Sequence, residues 1–211
     1  MICGKTAQAQ STPFHTHMVL GLTGGMGCGK STASQLFESF GFQRVDSDAL
    51  VRSVVLADAS VIGQIRARFG DEVVDTDGQI VRAVLARHVF ADAQELLWLE
   101  DLIHPRLFAE WRRILGEKGT HNVVFEVPLL FEKALENWFD FTLCVATSSA
   151  HQLARLRERG MSHALAEQRI SKQLPLVQKI ESADYVLLND GSVTFLRDQI
   201  ATLVADLSAR R

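Results

Sequence analysis

One eight-residue stretch constrains this chain more than any other, because it matches the G-x-x-x-x-G-K-[ST] pattern of a phosphate-binding P-loop. Its residues are Gly24, Gly25, Met26, Gly27, Cys28, Gly29, Lys30 and Ser31. An apolar segment suited to a buried strand precedes the loop at 18–23, and apolar residues at helical spacing follow it at 32–40. A strand, a glycine-rich loop and a helix in this order are the context that the motif requires. The sequence therefore predicts a nucleotide phosphate site.

The residue types of this loop suit phosphate chemistry. Glycines let successive backbone N–H groups point into one concavity, and the following helix N-terminus adds the positive end of a dipole. Lys30 is expected to reach the β- and γ-phosphates, and the Ser31 hydroxyl is expected to ligate Mg²⁺. A glycine-rich turn that matches the pattern by chance is the disfavoured alternative.

Composition excludes several other classes of protein. The net charge of −3 over 211 residues gives no general attraction to nucleic acid or to anionic membranes. No apolar run approaches the roughly 18 residues that span a bilayer. Cys3, Cys28 and Cys144 lack the C-x-x-C spacing of zinc sites and form an odd set, which argues against a disulfide framework. Residues 1–17 are polar and are interpreted as a disordered tail, and a cytoplasmic location is expected.

Strand-like segments alternate with helical patterns, which predicts an α/β fold with a five-stranded parallel sheet. The predicted strands lie at about 18–23, 42–45, 122–127, 139–145 and 184–188. From Ala49 to about Trp111 the pattern is almost wholly helical, with a turn at 71–78, and indicates a helical insertion. His104-Pro105 is expected to break this helix or to begin a new one, because proline restricts the residue before it.

Acidic residues follow one predicted strand, at 42–45, and lie near the end of another, at 122–127, at the sheet edge where α/β folds bind ligands. A carboxylate there can accept a proton from an attacking hydroxyl or organise magnesium. For Asp46 and Ser47, capping of the next helix is an equally favoured interpretation, whereas Asp48 favours a functional role. Glu126 is interpreted either as a magnesium-organising acid or as a structural carboxylate.

Basic residues are harder to interpret from pattern alone. Arg155 and Arg159 share one helix face and can close over phosphates. The pattern by itself favours an exposed face with Glu158 and Glu167 as counter-charges. An isolated histidine such as His104 is more typical of a structural hydrogen-bonding residue.

Taken in chain order, these motifs resemble those of the dephospho-CoA kinase family. The segment 21–32 resembles the family's G-L-T-G-G-I-G-S-G-K-S-T, and Asp46-Ser47-Asp48 with Arg52 resembles its D-A-D-x-x-A-R. Further matches are L-E-x-x-I-H-P at 99–105, V-P-L-L-F-E at 127–132, Q-x-x-R-x-x-x-R at 152–159, R-I-x-x-Q at 169–173 with Lys179, and A-D-x-V-x-x-N-x-G-S at 183–192. Cys28 stands where the family usually has serine. A thiol near a helix N-terminus can have a lowered pKa, so we expect sensitivity to oxidants.

The resemblance implies a three-layer P-loop NTPase fold with a core at about 18–47, 121–147 and 183–211. It also implies a helical lid at about 148–182 and a helical substrate-binding insertion at about 48–120. The implied reaction is phosphorylation of the ribose 3′-hydroxyl of dephospho-CoA by ATP with Mg²⁺, which gives coenzyme A and ADP.

The resemblance also implies roles for particular residues. The implied catalytic residues are Asp48, Lys30 and Arg155. The implied ATP-binding residues are Gly25, Met26, Gly27, Cys28, Gly29, Lys30, Ser31, Thr32, Arg155, Arg159 and Asn189. The implied acceptor-binding residues are Asp46, Arg52 and His104, and Ser31 is the implied magnesium ligand.

Three alternatives stay open at this level. Another P-loop kinase would share the loop and the fold but use a different hydroxyl acceptor. A GTP-binding switch protein is suggested by D-x-x-G at 75–78, but no N-K-x-D guanine motif follows. A binding protein with a vestigial loop is disfavoured by the intact Lys30, Ser31 and Asp48. The sequence indicates no nucleic acid or membrane partner, and it gives no oligomeric state.

Overall fold

A computed structural model describes residues 17–116 and 121–210, which form two compact units. One unit contains the described residues up to Val45 and those from 121 to 210, and the other contains those from Asp46 to 116. The predicted tail lies outside the described residues except for His17, which is buried. Within the described part of the chain, no helix has the length and apolar character needed to cross a membrane.

A five-stranded sheet forms the centre of the first unit, and the predicted parallel α/β fold is confirmed. Its strands are β1 (Val19–Gly24), β2 (Gln43–Asp46), β3 (Val123–Glu126), β4 (Phe141–Ala146) and β5 (Tyr185–Leu188), in the spatial order β2-β3-β1-β4-β5. The pairings of β1 with β3 and β4, and of β4 with β5, are parallel. All residues of β1 are buried, as expected for a central strand of a parallel sheet.

Helices connect these strands and form the second unit. In chain order they are α1 (Lys30–Glu38), α2 (Ser47–Ser53), α3 (Ala59–Phe69), α4 (Arg82–Ala91), α5 (Ala93–Gly116), α6 (Ser149–Glu158), α7 (His163–Ile170), α8 (Leu176–Ser182) and α9 (Val193–Ala209). In the first unit α1 packs against α9, and α8 packs against β1 and β4. Buried apolar side chains of the sheet, α1 and α9 form one core, which includes Phe37, Leu143 and Ile200.

The second unit corrects one expectation, because α5 runs through Pro105 without ending. Proline removes one backbone hydrogen bond and clashes with the carbonyl four residues earlier, which locally disfavours a helix. Buried side chains lie on both sides of it, Leu99 and Leu102 before and Leu107 and Trp111 after. Burial of both groups outweighs the local cost of the proline, so the expected helix break at His104-Pro105 is wrong.

The D-x-x-G segment at 75–78 forms a turn. One Asp75 carboxylate oxygen accepts hydrogen bonds from the backbone amides of Asp77 and Gln79 at 3.0 and 2.8 Å. Val74 and Ile80 form an antiparallel bridge on either side of the turn. The aspartate therefore stabilises a local turn of the helical unit, which accounts for this motif without a guanine nucleotide.

Candidate active site

The P-loop joins β1 to α1, and its backbone conformation requires glycine at two positions that face neighbouring elements. Gly29, at φ +94°, precedes α1, and a Cβ there would collide with the side-chain amide of Asn189. Gly27, at φ +79°, would place a Cβ 3.0 Å from the backbone oxygen of Gln152. Both the positive φ angles and this close approach exclude larger residues. The loop is therefore held tightly between α1, α6 and the turn after β5.

Lys30 and Ser31 begin α1, as the motif predicts. The Lys30 Nζ donates hydrogen bonds to the backbone oxygens of Gly24 and Gly25, both at 3.1 Å. The ammonium therefore lies against the first residues of the loop, beside the amides at the start of α1. A cation and helix N-terminal amides in one place form a site for phosphate.

Glu126, the last residue of β3, contacts three side chains at the carboxyl edge of the sheet. Its Oε1 accepts a hydrogen bond from Ser31 Oγ at 2.9 Å, and its Oε2 accepts one from Ser34 Oγ at 3.1 Å. Arg44 Nη2 lies 3.5 Å from Oε2. Sequence reasoning considered Glu126 but did not find Ser34 or Arg44. Their contacts with Glu126 join residues that are distant in the chain.

Arg155 projects from α6 onto the loop. Its Nη2 donates to the backbone oxygen of Asn189 at 2.7 Å, and its Nη1 lies 3.5 Å from the oxygen of Gly27 and 3.4 Å from that of Cys28. Asn189 Nδ2 also donates to the Cys28 oxygen at 2.8 Å. The exposed-face interpretation of the pattern is therefore wrong for Arg155.

The remaining predicted nucleotide residues lie at the edges of this cluster. Thr32 follows Ser31 in the first turn of α1, and Arg159 lies at the C-terminal end of α6 with an exposed side chain. Residues of the first unit that the structure brings together are Gly25, Met26, Gly27, Cys28, Gly29, Lys30, Ser31, Thr32, Arg155 and Asn189.

Two glutamines that sequence reasoning did not assign to the site contact Met26. Gln152 Nε2 donates to the Met26 backbone oxygen at 2.6 Å, and the Met26 amide donates to Gln173 Oε1 at 3.1 Å. Both glutamines fall within segments that resemble family motifs, at 152–159 and 169–173. This resemblance is the sequence signal that could have assigned them to the site.

The start of α6 is fixed by a hydrogen-bond network around Asp190. Its Oδ1 accepts from Thr147 Oγ1 at 2.7 Å and from the Ser148 amide at 2.8 Å, and it lies 2.8 Å from His151 Nδ1. The hydrogen bond with His151, followed by those with Ser148 and Thr147, holds the pKa of Asp190 well below its ordinary value. This network connects the helix that carries Arg155 to the turn that carries Asn189.

The environment of Cys28 contradicts the expectation of a reactive thiol. The residue is fully buried, and burial raises the pKa of its thiol despite the opposing charge of Lys30. A lower thiolate fraction makes the sulfur a weaker nucleophile. Desolvation therefore outweighs the effect of position near a helix N-terminus, and the expected lowering of the pKa is wrong.

The predicted acceptor-side residues belong to the second unit. Asp46 caps α2 by accepting a hydrogen bond from the Ala49 amide at 2.9 Å, so the capping interpretation is realised, and its Oδ2 lies 4.0 Å from Arg52 Nη2. Asp48 lies in the first turn of α2 and is exposed. His104 stacks on Phe108 within α5, with ring centroids 5.7 Å apart. Because α2 contacts α5, these residues lie on two adjoining helices.

The first unit is a parallel sheet with a P-loop between β1 and α1. Lys30, Arg155 and the pair of Ser31 and Glu126 surround that loop. Together these features define a P-loop kinase. Comparison with known proteins makes this class more specific. The chain belongs to the dephospho-CoA kinase family, whose sequence model matches residues 18–194.

Two relatives and one solved structure illustrate the similarity. The dephospho-CoA kinase of Thermosynechococcus vestitus is 42% identical over 183 residues, which cover 86% of this chain and 90% of the relative. That of Syntrophotalea carbinolica is 38% identical over 194 residues, or 90% of this chain and 92% of the relative. The structure of dephospho-CoA kinase from Campylobacter jejuni has a TM-score of 0.67 at 25% identity and covers 90% of this chain and 97% of that chain.

Proposed function

We propose that this protein transfers the γ-phosphoryl group of ATP to the ribose 3′-hydroxyl of dephospho-CoA, giving coenzyme A and ADP. Family membership supports the acceptor, and the P-loop with Lys30 against its first residues is the structural observation that supports ATP. In the reaction the 3′-oxygen forms a bond to the γ-phosphorus, and the bond from that phosphorus to the bridging oxygen of ADP breaks. Within the class, the main alternative is a P-loop kinase with another hydroxyl acceptor.

The residues around the loop suit a nucleotide bound with Mg²⁺. Ser31 and Glu126 offer hydroxyl and carboxylate oxygens, which are the ligands that Mg²⁺ prefers, so the donor set fits the ion. When bound, Mg²⁺ supplies neutralisation of the charge on the β- and γ-phosphates. Lys30 and Arg155 add positive charge, and Arg159 extends it along α6. Hydrogen bonds to backbone oxygens hold Lys30 and Arg155 in position, and charges held in this way stabilise developing negative charge effectively.

The acceptor side of the proposal rests on the family motifs. Asp48 orients the 3′-hydroxyl and accepts its proton, while Asp46, Arg52 and His104 contribute to acceptor binding. We further propose that the helical unit binds the acceptor and that the segment 148–182 acts as a lid, which excludes water as a competing acceptor. Cytoplasmic activity is part of the same proposal.

The direct test is ADP release by the purified protein with ATP and Mg²⁺, with and without dephospho-CoA, with the product identified as coenzyme A by mass. Acceptor-dependent turnover that is lost in Lys30→Ala would support the proposal. Turnover only with another hydroxyl acceptor would overturn the substrate while leaving the kinase class intact.

A second experiment separates binding from proton transfer. We expect Asp48→Asn to retain ATP affinity while turnover falls by about 10²–10⁴-fold, the usual contribution of a general base. Asp77→Asn, at an exposed turn position of the same helical unit, is the matched control and is expected to retain turnover. Near-normal turnover in Asp48→Asn would remove Asp48 from the catalytic role.

A further inference from the structure

Met26 is held at both of its backbone polar groups by glutamine side chains from two different segments. Gln152, on α6, donates from Nε2 to the Met26 oxygen at 2.6 Å. Gln173, after α7, accepts the Met26 N–H at 3.1 Å through Oε1. One glutamine thus acts as a donor and the other as an acceptor. The Met26 oxygen requires a donor and the Met26 N–H requires an acceptor, so the backbone partner determines the role of each amide.

A buried ion pair holds the segment that carries Gln173. The amide of the next residue, Leu174, donates to Glu132 Oε1 at 2.9 Å. The same oxygen lies 2.7 Å from Nζ of Lys179, whose side chain has no solvent exposure. Lys179 Nζ also donates to the backbone oxygen of Pro128 at 2.7 Å. Gln173 therefore extends from a backbone that is anchored one residue away.

The position of Met26 explains why such a clamp matters. It lies between Gly25 and Gly27, and glycine has the largest conformational freedom of any residue. A loop that binds phosphate through backbone amides must be ordered, and ordering on binding weakens affinity. Because the Met26 N–H is already bonded to Gln173, the phosphate donors are the amides closer to Lys30.

We propose that Gln152 and Gln173 are positioning residues that preorganise the P-loop for nucleotide through Met26, with Glu132 and Lys179 anchoring Gln173. This proposal rests on the proposed function only in requiring that the loop binds a nucleotide, whichever acceptor is used. Neither glutamine is required to contact the nucleotide itself.

The test is ADP binding by titration calorimetry in the absence of any acceptor. Gln173→Met keeps the length of the side chain but removes the acceptor. We expect ADP affinity to fall by about two- to ten-fold, the effect of losing one neutral hydrogen bond. Gln152→Met removes the donor on the other side of Met26, and its ADP affinity should fall by a similar factor. Gln168→Met, at an exposed position of α7, is the matched control and should bind ADP like the parent.

A purely structural role predicts a different result. It would lower the melting temperature of the nucleotide-free protein and leave ADP affinity in the folded protein unchanged, which would overturn the proposal. Tighter ADP binding in both variants would also overturn it, because the clamp would then oppose the bound state. In steady-state kinetics, positioning of the P-loop predicts a raised KM for ATP with an unchanged KM for dephospho-CoA.

The two proposals can fail separately. If the parent protein does not use dephospho-CoA but ADP binding still depends on both glutamines, the acceptor assignment is wrong and the clamp stands. If dephospho-CoA is phosphorylated but ADP affinity is insensitive to both substitutions, the clamp proposal fails alone.

Discussion

The Ser31 hydroxyl donates a hydrogen bond to Glu126 Oε1 over 2.9 Å and joins the first turn of α1 to the end of β3. The other oxygen of the same carboxylate is held by Ser34 at 3.1 Å and lies 3.5 Å from Arg44. Only 6% of Glu126 is exposed. Because each carboxylate oxygen also has a side-chain partner, the orientation of the carboxylate is fixed. The orientation of the Ser31 hydroxyl, the proposed magnesium ligand, is therefore set by a residue of another strand.

Glu126→Gln should reduce the affinity of the site for magnesium. The amide keeps one oxygen but loses the charge, and loss of a group that orients a metal ligand typically costs 10–100-fold in metal affinity or activity. A magnesium titration of turnover at saturating ATP measures the effect. Glu38→Gln, at an exposed position of α1, should leave the titration unchanged. An unaltered titration in Glu126→Gln would show that Glu126 is only structural.

Arg155→Lys should impair the nucleotide site although the charge is retained. Lysine cannot reproduce the planar guanidinium that contacts Asn189, Gly27 and Cys28 together. We expect kcat/KM for ATP to fall by about ten-fold or more, since hydrogen bonds to charged groups contribute roughly 1.5–3 kcal/mol. Arg157→Lys, an exposed residue of the same helix, is the control, and equal kinetics in both variants would contradict the role of Arg155.

The buried thiol of Cys28 should be protected from oxidation. Because burial raises its pKa, the thiolate fraction at pH 8 is lower than that of an exposed cysteine. The pKa of Cys144, also buried, is raised to about 12. In a Cys3→Ser background we expect little reaction of the native protein with Ellman's reagent at pH 8, and reaction of both thiols after unfolding.

Peroxide provides the second measurement for the same thiol. Inactivation by peroxide should proceed equally in the Cys3→Ser protein and in the same protein with Cys28→Ser added. Rapid reaction of one thiol in the native state, or peroxide resistance gained through Cys28→Ser, would restore the hypothesis of an oxidant-sensitive cysteine.

Asp190 should contribute to stability in a pH-dependent manner. Because the pKa is lower in the folded than in the unfolded state, the contribution is complete above the unfolded value, about 3.9, and is lost as pH falls below it. We expect Asp190→Asn to lower the free energy of unfolding at pH 6 by about 0.5–1 kcal/mol, a modest value because the carboxylate is half exposed and screened by solvent.

Urea unfolding at pH 6 and pH 3 measures this effect. The difference between the parent protein and Asp190→Asn should shrink at pH 3, because the aspartate becomes protonated in the unfolded parent while its lowered pKa keeps it ionised in the folded parent. Asp198→Asn, on the exposed side of α9, should change the free energy of unfolding by less than about 0.5 kcal/mol. A difference that grows toward pH 3 would have the wrong sign for this network.

The buried pair of Lys179 and Glu132 should show strong non-additivity. Lys179→Met leaves the Glu132 carboxylate without its cation, and breaking a buried pair typically costs about 3–5 kcal/mol. Adding Glu132→Gln removes the remaining charge and keeps an oxygen for the Leu174 amide, so most of the loss should be recovered. Urea unfolding of the single and double variants, with exposed Lys172→Met as control, measures this coupling. Additive losses would contradict it.

Local sequence determined much of the fold. The five strands and the P-loop helix have short-range signals, namely apolar runs, helical spacing and glycines at fixed positions, and each lies where the sequence predicts it. The α5 helix shows where local signals are insufficient. Pro105 disfavours a helix in its own neighbourhood. Burial of side chains on either side of it, such as Leu102 and Leu107, stabilises one continuous helix. This stabilisation depends on packing against the other helices of the unit.

The candidate site likewise combines features that the sequence determined with features that only the tertiary structure decided. By itself, the sequence determined the phosphate loop, with Lys30 and Ser31, because the motif is contiguous and its chemistry depends on backbone geometry. Only the tertiary structure decided that Glu126 binds Ser31, that Gln152 and Gln173 hold Met26, and that burial raises the pKa of Cys28. The physical reason is that hydrogen bonds and desolvation depend on distance in space, and the sheet brings together residues that are far apart in the chain.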